Sequence, residues 1–143
     1  MRWFAAHIVM VVEIKERKQD RFPAWENIVL VKAASEAEAY RQAEELGRED
    51  EVDDDGTFSW GKQPARWIFA GVRKVTECAL SGDRPESGDE ISYLEFEFQT
   101  KNDVKRFVAG KPAVTVINES YRAIEVNESE SGKKTGTDKR KRA

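Results

Sequence analysis

Trp25 to Gly47 read WENIVLVKAASEAEAYRQAEELG, an apolar strand, two alanines and a capped helix in succession. Ser35 is a favourable N-cap, and Glu38 three positions later completes an S-x-x-E capping box. The Ser35 hydroxyl accepts an otherwise orphaned N–H of the first turn, and Glu38 reaches back to the cap. Glu36 and Glu38 also sit at the positive end of the helix dipole. Ala39, Ala43 and Leu46 recur at helical spacing with Tyr40 beside them, while Arg41, Gln42, Glu44 and Glu45 fill the other side. A stripe made mostly of alanine lets a helix lie close to a sheet. Tyr40 and Leu46 supply the bulk, and Gly47 is placed to close the helix in the left-handed conformation. The spacing predicts a helix over 35–46.

Upstream, residues 3–14 (WFAAHIVMVVEI) are apolar on both parities, which predicts a first strand buried on both faces. The charged run 15–23 connects it to the strand of Trp25–Ala33, read as its antiparallel partner. Downstream, 48–65 is a long acidic loop with turns at Asp55-Gly56 and Trp60-Gly61. Residues 66–80 predict a third strand with a bulge at Gly71. After the turn-rich link 81–89, Glu90 to Gln99 predict a fourth strand, with Leu94, Phe96 and Phe98 on one face and Glu95 and Glu97 on the other. Thr100 and Asp103 cap a short second helix stopped by Gly110 and Pro112, and 113–118 reads as a last short strand. The expected fold class is α+β: a mainly antiparallel sheet of about five strands in the order β-β-α-β-β-α-β, with one principal helix packed on one face. Residues 1–126 form a single domain in this reading, with Tyr121–Val126 a final extended piece. Residues 127–143 form a disordered basic tail.

The chain has 143 residues, 39% hydrophobic and 36% charged, with a formal net charge of −3. Residues 133–143 set Lys133, Lys134, Lys139, Arg140, Lys141 and Arg142 against Asp138, a net +5 that leaves −8 on residues 1–132. The acidic body repels a nucleic-acid backbone and the tail attracts one. Cys78 is the only cysteine, so no disulfide forms within the chain and a reducing cytoplasm fits. The apolar run 3–12 is too short to span a bilayer and lacks a cleavage site, so neither a signal peptide nor a membrane partner is expected. The glycosylation patterns at Asn118 and Asn127 carry no meaning without secretion.

Several motifs together resemble a known family. They are Trp3-Phe4-x-Ala6; Ala33-Ala34-Ser35-Glu36-x-Glu38-Ala39-Tyr40-x-x-Ala43 with Gly47; Trp67-x-Phe69-x-Gly71-Val72-x-x-Val75-x-Glu77; and Gly88-x-Glu90-Ile91-x-Tyr93. In order and spacing these resemble the bacterial domain of unknown function family 4288, over roughly residues 2–120. The chain departs from the family at His7, where related sequences often carry lysine, and in the basic tail. The resemblance implies a small bacterial cytosolic α+β domain and brings no catalytic residues.

The candidate chemistry is sparse. His7, the only histidine, reads either as a general base or metal ligand or as a buried imidazole bonded to a neighbour. The second reading is favoured, because a lone histidine offers no second imidazole for a metal. Cys78 as a nucleophile activated by His7 is set against an inert core thiol. Glu51, Asp53, Asp55 and Gly56 imitate the start of a calcium loop, but its twelfth position is Lys62 rather than an acid. No cofactor or metal is expected. Tyr93, Phe96 and Phe98 alternate like an RNA-binding sheet, but Glu95 and Glu97 between them oppose it. Trp3, His7, Phe58, Trp60 and Trp67 are the candidate ligand or partner surface. The expected function is a non-enzymatic protein-interaction module, self-associating or immunity-like. In it Phe58 and Trp60, or a second subunit, cover the reverse side of the sheet. The alternatives are a small-molecule-binding or hydrolytic domain with a pocket near His7, and weak nucleic-acid binding through the tail cations.

Overall fold

The structure is a computed structural model that describes residues 1–53 and 56–117. In chain order it contains β1 (Arg2–Ile14), β2 (Ala24–Ala33), α1 (Glu36–Glu49), β3 (Ser59–Trp60), β4 (Gln63–Glu77), β5 (Phe96–Glu97), α2 (Lys101–Val108) and β6 (Val116–Ile117). The architecture is α+β with a mainly antiparallel sheet. β1 is central, and the sheet order is β2-β1-β4-β3, with β5 and β6 forming a separate two-stranded ribbon.

The core lies between α1 and one face of this sheet. Phe4, Ala6, Ile8 and Met10 from alternate positions of β1 are buried against Val31, Ala33, Val75, Ala39 and Ala43. Each large side chain sealed there contributes about 1.5–3 kcal/mol. The capping box forms as its residues dictate: Glu38 N–H donates to Ser35 Oγ at 3.1 Å, and the Glu38 carboxylate accepts from Ala34 N–H at 3.1 Å. The helix does not stop at Gly47. It runs on to Glu49, and the Asp50 N–H closes on the carbonyls of Leu46 and Gly47. Gly47 instead extends the stripe, because a Cβ there would lie 2.3 Å from the Phe69 ring and 3.1 Å from Ile8 Cγ2. Leu46, expected on the stripe, is 38% exposed. The contact face is thus Ala39, Ala43 and Gly47, every fourth residue, and α1 approaches the sheet at backbone distance.

β4 is irregular where Gly71 interrupts it. The register against β1 shifts between His7 and Ile8 and again between Val9 and Met10, leaving Arg73 and Ala70 as extra residues. Gly71 lies between them at φ +145°, a region L side chains rarely adopt. Val72 and Phe69 therefore face α1, opposite Ile8 and Met10, while Arg73 is directed to the other side.

Three further expectations are corrected. First, the long acidic loop ends in a hairpin: Trp60 pairs with Gln63 across Gly61 and Lys62, both at positive φ, which adds β3 to the expected order. Second, the strand expected over 90–99 is reduced to β5. Ala79 and Glu90 form an isolated bridge, the chain then leaves the ladder, and Phe96 and Phe98 pack on Phe107 of α2 with ring centroids 5.0 and 5.3 Å away. Third, Phe58 and Trp60 do not cover the reverse side of the sheet. Trp67 is opposite Val12, on the same face as the α1 core, and Phe58 and Trp60 pack on Trp67 beyond the end of the helix. The tail cations 133–143, the segment 121–126, the Asn118 and Asn127 patterns and Asp55 lie outside the described residues.

Candidate functional site

The reverse face of the sheet carries the second parity of β1: Trp3, Ala5, His7, Val9 and Val11. Antiparallel register places Ile28 of β2 and Lys74 of β4 on either side of His7, and Glu26 opposite Val9. The extra residue in β4 adds Arg73 to the same side. The chain after the Ala79–Glu90 bridge crosses this cluster with Ser92 and Tyr93, and Ala5 and His7 are sealed beneath at 0% exposure. The chain itself therefore closes this part of the reverse face, which the sequence reading left to Phe58, Trp60 or a second subunit.

The cluster is ordered by hydrogen bonds. The Arg73 guanidinium grips Glu26, with Nε at 3.0 Å from both carboxylate oxygens and Nη2 at 2.6 Å from Oε2. Burial pushes the Glu26 pKa up, but the hydrogen bonds from Arg73 and His7 outweigh it and hold the carboxyl below its ordinary 4.5. His7 Nδ1 is 2.5 Å from Glu26 Oε2, and His7 Nε2 is 2.5 Å from Ser92 Oγ. For the imidazole, desolvation lowers the pKa and outweighs the support from Glu26, and the charges of Lys74 and Arg73 lower it further. His7 is therefore neutral at pH 7. An ionised Glu26 has no proton to give, so Nδ1–H donates to it. Nε2 is then left with a lone pair that accepts the Ser92 hydroxyl, a tautomer assigned by the network. The Lys74 ammonium donates to the Tyr93 carbonyl and lies 3.7 Å from the centroid of the Tyr93 ring. Chemically the arrangement pins the crossing segment to the sheet and polarises one serine.

The five residues singled out in the sequence separate into two groups. Phe58, Trp60 and Trp67 come together on the helix side, joined by Trp25, whose ring centroid is 5.0 Å from that of Trp67. Trp3 and His7 share the reverse face without touching that cluster. Trp3 donates its indole N–H to the Asp83 carbonyl at 3.1 Å and lines a shallow cleft with Lys32, Cys78 and Asp83. Cys78 is not paired with His7, both of whose ring nitrogens are taken. Burial, with the Glu77 charge, pushes the thiol pKa up, so it stays a thiol. Of the acids in the apparent calcium loop, Glu51 accepts from the Phe69 N–H and Asp53 pairs with Lys15. Glu26, Arg73, Lys74 and Ser92 were missed. The available signal was Arg73-Lys74 inside the otherwise apolar run 67–75, with Glu26 in the strand read as the partner of the one holding the sole histidine.

A second feature lies beside this cluster. β2 is an edge of the sheet. Its odd-numbered side is turned to β1, as shown by the Val12 N–H bond to the Pro23 carbonyl at 2.9 Å. Its even-numbered backbone groups point outward. The outermost are capped by α1, with Gln42 on the Lys32 carbonyl and Glu38 on the Ala34 N–H. Among the described residues nothing pairs with the outward backbone groups of Ala24, Glu26, Ile28 and Leu30. Ile28 and Leu30 are 46% and 41% exposed, and Trp25 is 56% exposed.

Residues 3–92, which include β1 from Trp3 onward, β2, α1, β4 and the cluster members His7, Glu26, Arg73, Lys74 and Ser92, match the family model described as Domain of unknown function (DUF4288). The chain belongs to this family. No curated protein and no solved structure matches it. Among the described residues of this family member, no helix is long and apolar enough to cross a membrane.

Proposed function

We propose that the domain is a protein-interaction module that associates with a second copy of itself through the open edge of β2. The carrying observation is the order of side chains along that edge on the reverse face: Glu26, Ile28, Leu30, Lys32. The order is acid, apolar, apolar, cation. Antiparallel pairing about a two-fold axis at Val29 sets Glu26 against the partner's Lys32, and Ile28 against the partner's Leu30, twice over. Cross-strand apolar and opposite-charge pairs contribute about 0.2–1 kcal/mol each. The unpaired backbone groups gain partners in the same step, as in other edge-to-edge associations. An isologous interface of this kind closes on itself and gives a dimer rather than a fibre.

Size-exclusion chromatography with light scattering tests the reading. The expected mass is twice 16.3 kDa, falling to the single-chain value in Leu30→Lys, and in Lys32→Glu, which places like charges opposite each other. Circular dichroism confirms that both variants fold. A single-chain mass for the unaltered protein at its highest soluble concentration refutes the proposal.

A further inference from the structure

The Glu26–His7–Ser92 chain goes beyond that reading. We infer that Ser92 is a nucleophile for acyl transfer, with His7 as its general base and Glu26 as the positioning residue. The substrate class is an activated carboxylic ester with a small apolar acyl group. The argument rests on the direction of the bonds. An ionised carboxylate held by Arg73 accepts from Nδ1–H, which leaves the lone pair of Nε2 facing the Ser92 hydroxyl at 2.5 Å. Acid, imidazole and hydroxyl in this sequence are the recurrent device for activating serine, recognised by geometry and not by order along the chain. A pin that merely fastens a loop needs no such polarity.

The surroundings suit the chemistry. His7 is fully buried, so its lone pair has no competing water, whereas Ser92 is only half-buried. Ile91 and Leu94, on either side of Ser92 and Tyr93 in the chain, are exposed apolar side chains able to contact an acyl group. Lys74, bonded to the carbonyl of Tyr93, adds positive charge one residue along the chain from Ser92.

The step balances with water as co-reactant. Ser92 Oγ forms a bond to the acyl carbon as its proton passes to His7 Nε2. The bond from the acyl carbon to the leaving oxygen then breaks, and that oxygen takes the proton from His7. Water attacks the acyl-serine, gives a proton to His7, and releases the carboxylic acid. His7 returns the proton to Ser92.

The test uses the full chain with p-nitrophenyl acetate and with an alkyl fluorophosphonate, reading the site of modification by peptide mass spectrometry. The expected result is a fluorophosphonate adduct on Ser92 and ester turnover that disappears in Ser92→Ala. Turnover should fall about 10²–10⁴-fold in His7→Gln, the usual worth of a general base. Because His7 is neutral, turnover should stay level from pH 7 to below pH 6.5 and fall only at more acid values. Glu26→Gln should change that profile as well as the rate, which loss of a purely structural contact would not do. Ser92→Cys, expected to fold, should show alkylation by iodoacetamide that is accelerated by His7. An unmodified Ser92 in folded protein, or labelling elsewhere that is indifferent to His7, overturns the inference. The readout is independent of oligomeric state, so failure of the pairing proposal leaves this result interpretable.

Discussion

Replacing Gly47 with alanine sets helix propensity against packing at a single atom. Glycine inside a helix is about 0.8–1.0 kcal/mol less favourable than alanine, so propensity alone makes Gly47→Ala stabilising by that amount. The added methyl would sit 2.3 and 2.4 Å from two carbons of the Phe69 ring and 3.1 Å from Ile8 Cγ2. Carbon atoms prefer about 3.5–4.0 Å, so the ring must retreat by more than an ångström or α1 must lift from the sheet. Overpacking of this kind costs about 1–3 kcal/mol. Phe69 is half-buried, with the Arg48 guanidinium 5.5 Å from its ring centroid, and gives way partly. The balance is a net loss of about 1 kcal/mol, or a fall of about 2–4 °C in Tm for a chain of this size. Urea unfolding at fixed protein concentration measures it, with an unchanged denaturant slope as the control. In a Phe69→Leu background, where the obstructing ring is gone, the same substitution should turn neutral or stabilising. A single Gly47→Ala variant that gains about 1 kcal/mol would refute the close approach of α1 to Phe69.

Two further outcomes follow from the same contacts. The pKa of folded His7 lies below 6.5, so on acidification the unfolded chain binds that proton first. Stability should therefore fall as pH drops from about 6.5 toward the lowered folded value, by at most about 1.4 kcal/mol per pH unit for this proton. Glu26, held below 4.5, contributes stability that is complete above its unfolded value and lost as pH falls through its folded one. Urea titrations across this range should show the upper part of the decline flattened in His7→Asn, and an unchanged slope in that variant would contradict the assignment. Ser35→Ala removes the acceptor for the Glu38 N–H and should cost about 1 kcal/mol, read from the urea midpoint.

What was legible in the sequence was local. The capping box and the alanines at positions 39 and 43 are set by spacings of three and four residues, and the helix obeyed them. Gly71 marked the strand irregularity because only a glycine serves at its φ. What was not legible depended on register. Gly47 ends a helix in one setting and lets a ring approach in another, and the choice is made by Phe69 from a distant strand. Phe58 and Trp60 went to the helix side because Val12 is opposite Trp67. Ser92 could not be assigned to His7 at all, since the two meet only when an unpaired segment folds across the sheet. The alternation of Phe96 and Phe98 looked like a strand, but Phe107 gave those rings a nearer place to pack.

The paired irregularities of β4 constrain how this strand can change length. Without the register shifts, simple alternation would turn Arg73 toward Ile8 and bury a guanidinium beneath α1. With both present, Arg73 is delivered to Glu26, and the strand beyond resumes its phase so that Trp67 still meets Val12. Straightening one shift alone, with all the residues kept, would invert every side chain on the flank beyond it, exchanging the aromatic cluster with solvent. Straightening both would keep the facing of that flank and dismantle the ionic trio. A single residue can therefore be lost from β4 without turning either flank over only where a shift already holds one to spare, at Arg73 or at Ala70.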